Sequence, residues 1–150
     1  MCATALSLKG RALQLLSGRE HSRTELERKL ARFELEPGSL ARALDELQAK
    51  DFISEQRVVD SVLHRRAAKL GNARIEHELQ GKGLDQDMVR NAVAALRDTE
   101  LARAREVWRK KFSQTPQGPA EHAKQMRFLA SRGFSRDTIR RVLSSSHNDA

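Results

Sequence analysis

The chain has a single cysteine, Cys2, among 150 residues. That excludes an intramolecular disulfide and points to a reducing compartment. It has no tyrosine, one tryptophan and five phenylalanines, which leaves no obvious row of rings for stacking the bases of a single strand. The phenylalanines fall mostly at apolar-stripe or turn positions, and Trp108, beside Val107 on a helix with Ala104, reads as core. No apolar run approaches the roughly 18 residues of a membrane span, and the opening "MCATALSLKGR" lacks the basic lead and long apolar region of a secretory signal. The expected location is the cytoplasm, away from any membrane. No segment alternates apolar and polar residues for more than a few positions, so the chain reads as all-α.

Signatures of chemistry are also missing. His21, His64, His77, His122 and His147 include no i, i+4 pair and there is no second cysteine, so the usual zinc spacings are absent. "QGKGLD" is no phosphate loop, because Glu76 stands where its first glycine belongs and no Ser or Thr follows Lys82. A Gly-x-Ser-x-Gly elbow does not occur. The acid pairs Asp85/Asp87 and Glu76/Glu78 fall at helix starts or on solvated faces, where a carboxylate complements the helix dipole. The expectation is a protein without a catalytic site, metal or cofactor.

What the chain does have is a repeat. Leu79, Leu84, Val89, Ala92, Val93 and Leu96 recur 49 residues earlier as Leu30, Leu35, Leu40, Ala43, Leu44 and Leu47. They recur 50 residues later as Leu129, Phe134, Ile139, Val142 and Leu143. Within each copy the i, i+3, i+4, i+7 stripe puts apolar side chains on one helical face. A second stripe precedes it: Leu26, Leu30 and Phe33 in the first copy, Ile75 and Leu79 in the second, Met126 and Leu129 in the third. Ser22 with Glu25 forms a capping box, and Asp85 and Ser135 stand at N-cap positions. Gly83 and Gly133 close the preceding helices in a left-handed conformation, and Leu84 and Phe134 then carry the turn into the core. The first copy has Glu34 where the others have glycine.

Each copy is led by a further helical segment, Leu8 to Leu16, Val58 to Ala68 and Leu101 to Phe112, and "SQTPQGPAEH" forms a loop in the third. Three copies of three helices predict nine. One such unit buries too little apolar area to offset its chain entropy, so a stacked, gently curved row is expected ahead of the alternative, a single globular bundle of nine helices. The reading is three tandem three-helix modules, helix-turn-helix-like, in an elongated, curved array. They cover residues 1–49, 50–98 and 99–145, with a flexible tail at 146–150.

The central stretch "DFISEQRVVDSVLHRRAAKLGNARIEHELQGKGLDQDMVRNAV" resembles the middle of the bacterial RecX proteins. The resemblance is carried by Phe52, Ile53, Arg57, Arg65, the Lys69 to Gly71 turn, Arg74, Ile75, Glu78, Leu79 and the "KGL" of Lys82 to Leu84. "ALQLLSGREHSRTELERKL" before it and "FLASRGFSRDTIRRVL" after it extend the likeness over nearly the whole chain. The resemblance implies three tandem three-helix modules that bind the RecA filament on single-stranded DNA, limit its growth and suppress its recombinase, ATPase and coprotease activities. It implies no chemistry of the protein's own.

Charge independently favours an acidic partner. The net charge of +8 is unevenly spread: lysine and arginine outnumber acids 8 to 7 over residues 1–49, 9 to 8 over 50–98, and 11 to 5 over 99–150. The candidate contact face comprises Arg65, Arg66, Lys69 and Arg74 in the middle copy. In the third it comprises Arg103, Arg109, Lys110 and Lys111, then Lys124, Arg127 and Arg132, and finally Arg136, Arg140 and Arg141. These residues form either a solvated helix surface or one that faces DNA phosphate or an acidic wall of a filament. The expected partners are the RecA filament and single-stranded DNA, met by a monomer. "SRTELERKLARFELEPGSLARALDEL" also resembles a helix-turn-helix, so a duplex-binding transcription regulator is the alternative. The balanced charge of the first copy and the threefold repeat count against it.

Overall fold

The computed structural model describes residues 6–145, so Cys2, His147 and the tail at 146–150 lie outside the described part. Five of its eight α-helices begin where a capping side chain satisfies a free amide. Ser7 accepts from Gly10 N at the start of α1 (Leu8–Gly18). The Ser22/Glu25 capping box opens α2 (Arg23–Leu30), which ends in a 3₁₀ turn, Ala31–Phe33. Gly38, at φ 86, precedes α3 (Ser39–Ala49), and Ser54 accepts from Arg57 N at α4 (Glu55–Arg66). α5 (Asn72–Gly81) follows Gly71, and Asp85 accepts from the amides of Asp87 and Met88 to begin α6 (Gln86–Lys111). α7 (Pro119–Ser131) has proline in its first turn. In α8 (Arg136–Ser145) the Thr138 amide donates to Ser135 Oγ at 3.2 Å.

Three separate cores result, one for each module. Ala12, Leu26, Leu30, Leu40, Leu44 and Leu47 form the first, and Ile53, from beyond residue 49, completes it. Val58, Val59, Val62, Ile75, Leu79, Leu84, Val89, Val93 and Leu96 belong to the second. Ala104, Leu129, Phe134, Ile139, Val142 and Leu143 form the third. Each core is closed by the apolar face of a module's last helix, as the stripes require.

Four expectations need correction. Eight α-helices are present among the described residues, not nine, because α6 serves the second and third modules without a break. Nothing between Leu96 and Leu101 stops it: no glycine or proline intervenes, and the Thr99 hydroxyl, instead of capping a new helix, donates back to the Leu96 carbonyl inside this one. The loop of the third module is shorter than expected, since Pro119 is pre-organised for a first helical turn and starts α7 there. On α7 the buried residues are Gln125 and Leu129, while Met126 is 44% exposed. Gln125 turns inward because its Oε1 accepts from Trp108 Nε1 at 2.7 Å, and Trp108 packs half-buried on the third core. Leu35 is 94% exposed, whereas Leu84 and Phe134 are buried. Glu34 has extended backbone in place of a left-handed glycine, so the chain leaves α2 in another direction.

The modules meet through the ends of their middle helices. Ser22, the N-cap of α2, donates from Oγ to the carbonyl of Lys82, the C-cap of α5, at 2.6 Å. Arg28 adds a bond to the Gly81 carbonyl at 2.9 Å. At the equivalent place in the next module Gly71, the N-cap of α5, donates from its amide to the carbonyl of Arg132, the C-cap of α7, at 2.7 Å. Ala73 N and Arg74 Nη1 reach the Gly133 and Ser131 carbonyls at 3.2 and 2.8 Å. In both joints the positive end of one helix dipole abuts the negative end of the next.

This explains the recurring glycine more fully than helix termination does. Gly83 has φ 68 and Gly133 φ 92, and each also admits the neighbouring module. A Cβ on Gly83 would come within 2.3 Å of Thr24 Oγ1, and one on Gly133 within 2.2 Å of Arg74 Cγ. The first module has no module docked on the end of α2, and there the chain carries glutamate. Glu25 reinforces the first joint, where it is paired with Arg19 at 2.7 Å and Lys82 at 3.2 Å. Burial opposes its ionisation, but hydrogen bonds from Arg19, the Ser22 amide and Lys82, with the charge of Lys82, hold its pKa at about 2.

Gly83→Ala should therefore destabilise by more than the roughly 1 kcal/mol of a left-handed alanine. In a Thr24→Gly background only that smaller penalty should remain. Gly81→Ala, which meets nothing within 4 Å, should be neutral or stabilising; thermal unfolding reads all three. Because the Glu25 carboxyl is depressed from 4.5 to about 2, its contribution is complete above the unfolded value and lost as pH falls through the folded one. Urea titrations across that window should show stability falling in the wild type and a flatter profile in Glu25→Gln.

Candidate functional site

The candidate basic residues separate by the partners they already have. Arg103 is not part of an outer face. Its guanidinium donates to the carbonyls of Ala67, Leu70 and Leu96 at 2.9, 2.8 and 3.2 Å and to Asn72 Oδ1. It satisfies the free end of α4 from the middle of α6. Burial lowers its pKa, opposed by the charge of Glu100. Arg74 is likewise committed to the second joint.

Four others face carboxylates. Arg66 pairs with Glu78 at 3.3 Å, Arg109 with Glu106 at 2.8 Å, and Arg140 and Arg141 with Asp137 at 2.6 and 3.2 Å. Surface pairs of this kind contribute little in water, so an incoming phosphate can displace them. The remaining eight are Arg65, Lys69, Lys110, Lys111, Lys124, Arg127, Arg132 and Arg136. None has a carboxylate partner among the described residues.

Part of this set is gathered around aromatic rings in the third module. Lys111 Nζ lies 5.8 Å and the Arg132 guanidinium 5.0 Å from the centre of Phe128, which meets Phe112 edge-on at 5.4 Å. The ring draws together the end of α6 and the end of α7. Lys124 shares with Lys111 and Phe112 a shallow hollow of about 250 Å³, and Arg127 follows one turn along α7. Arg136 lines a larger open groove between α7 and α8, about 990 Å³, with Met126, Ala130, Ile139 and Leu143. Arg65 and Lys69 are exposed at the end of α4, apart from the ring cluster.

A residue that the sequence does not single out ties the second and third modules together. Glu100 is 8% exposed and accepts from Asn72 N at 3.3 Å, Ser135 N at 3.2 Å and Thr138 Oγ1 at 2.8 Å. One carboxylate thus caps helices of two modules, α5 and α8, from the middle of α6. A signal for it does exist: Val89, Val93, Leu96 and Ala104 trace a buried stripe, and Glu100 occupies a position on it.

No metal-binding group of three or more His, Cys, Asp or Glu occurs among the described residues. No helix there is long and apolar enough to cross a membrane.

Comparison with known proteins agrees with this architecture. The family model for the first three-helix domain of RecX matches residues 9–47, and that for the third matches residues 98–143. The chain is 56% identical to the regulatory protein RecX of Leptothrix cholodnii, over 92% of this chain and 88% of the relative. It is 46% identical to that of Herminiimonas arsenicoxydans, over 99% of both. The crystal structure of RecX from Lactobacillus salivarius shares the fold, with TM-score 0.78 at 20% identity, over 94% of this chain and 95% of that one.

Arg103→Gln should lower stability by about 2–4 kcal/mol, because buried carbonyls lose a charged donor. Lys124→Gln and Arg127→Gln should stay within about 0.5 kcal/mol of wild type. Chemical denaturation distinguishes a positioning arginine from one that is free to meet a partner.

Proposed function

This chain belongs to the RecX family of regulatory proteins, and on that premise we propose that it binds the RecA filament on single-stranded DNA and restrains it. Growth, ATP hydrolysis, strand exchange and coprotease activity of the filament are the processes it limits, as a monomer in the cytoplasm. The three-module division at residues 49/50 and 98/99 is the proposed unit of contact, each module meeting a successive part of a helical partner. The observation that supports this reading is the row itself: broad helical sides joined end to end, with uncompensated cations concentrated on the third module around Phe128.

Regulation in this reading is differential binding. A monomer that prefers one arrangement of filament subunits shifts the filament toward it by the ratio of its affinities, with no bond made or broken. The cations on α6 and α7 supply the phosphate-facing part. They act by counterion release, which is strong at low salt and falls steeply as salt rises.

The direct test adds the protein to RecA filaments on single-stranded DNA and follows ATP hydrolysis. Inhibition that deepens as the ratio of protein to recombinase rises is expected, and none at any ratio overturns the proposal. Substituting Lys111, Lys124, Arg127 and Arg132 by glutamine should weaken binding to an oligonucleotide at low salt. It should also reduce the log–log salt slope by about 0.7 for each phosphate no longer neutralised. An unchanged slope removes these residues from the interface.

A further inference from the structure

The turn after α2 is built unlike its two counterparts, and it presents an apolar side chain to water. Leu35 is 94% exposed where Leu84 and Phe134 are 7% and 5% exposed. The turn that carries it is held firmly. Glu34 Oε1 accepts from Gly38 N at 2.7 Å, Ser39 donates to the Glu36 carbonyl from its amide at 3.1 Å and its hydroxyl at 2.7 Å, and Glu34 N donates to the Ala31 carbonyl at 3.2 Å. A residue carried on a braced turn can be buried by a partner without reordering of the backbone, which is what an anchor requires.

Next to it two cations share one ring. The Arg11 guanidinium lies 3.8 Å and that of Arg32 4.6 Å from the centre of Phe33. Neither side chain forms a hydrogen bond or ion pair with another described residue. The ring attracts both, but the two like charges repel each other, so an acid from outside completes the arrangement.

We infer that this end of the first module is a protein-docking surface, in which Leu35 enters an apolar pocket of a partner subunit and Arg11 and Arg32 meet carboxylates on its rim. A phosphodiester strand would satisfy the guanidiniums but leave the leucine in water, whereas a pocket with acidic edges covers both. Identifying the partner as a filament subunit rests on the function proposed above; the surface itself rests on the exposure and geometry of this turn.

The experiment uses the full chain, RecA filaments on single-stranded DNA, a naked oligonucleotide in parallel, and thermal unfolding. Leu35→Ala should weaken filament binding about ten- to hundredfold, the value of one buried leucine, with oligonucleotide binding and melting temperature unchanged. Arg32→Gln, at an exposed position, should weaken filament binding while sparing the oligonucleotide. Wild-type filament affinity in either variant overturns the inference, and so does an equal loss of oligonucleotide binding in Arg32→Gln, which would mark a phosphate site. Failure of the wild-type protein to bind filaments removes this inference and the proposed function together. Intact wild-type binding with unimpaired variants removes only this one.

Discussion

The interaction on which the rest depends is the meeting of helix ends between modules. The N-cap of a middle helix bonds the C-cap carbonyl of the next middle helix, once from the Ser22 hydroxyl and once from the Gly71 amide. A free helix end leaves donors or acceptors without partners, and here each satisfies the other. The same bonds align α7, α5 and α2 with their dipoles head to tail. The row of modules is thus produced by the same unmet backbone groups that any single helix would expose to water. Close approach is possible because glycine stands at 71, 83 and 133.

The two joints differ in what surrounds this common arrangement. The first is tied by polar side chains: Glu25 with Lys82, Glu20 with Arg57, and Arg28 on the Gly81 carbonyl. The second adds a buried pair of devices on α6, Glu100 capping α5 and α8 and Arg103 closing α4. Charge therefore serves two purposes in this chain. Where it is buried it fixes module to module, and where it is exposed and unpaired, as around Phe128, it remains available to a partner.

The repeat, the helical class and most caps are legible in the sequence because they depend on local rules. A 3.6-residue stripe, a serine three before a glutamate and an aspartate ahead of an apolar run need no knowledge of tertiary packing. The long α6 is not legible from the repeat, which divides the last helix of the second module from the leading helix of the third although no breaker lies between them. Spacing alone places Met126 in the core, but an acceptor for Trp108 is worth more at the neighbouring position, and that is visible only once α6 and α7 are packed. Arg103 looks like any other surface arginine, since nothing local marks one whose acceptors lie about thirty residues away. The glycines are recognisable as helix stops, but their second role belongs to an approach across modules.

The unbroken α6 has a mechanical corollary. At about 1.5 Å per residue its 26 residues make a strut of roughly 39 Å, with one core built on its first half and another on its second. A push delivered at the Phe128 end is carried by that strut into the central unit without a joint to absorb it. The link between the first two units is instead a bonded turn, in which Arg57 holds the carboxylate and the carbonyl of Asp51.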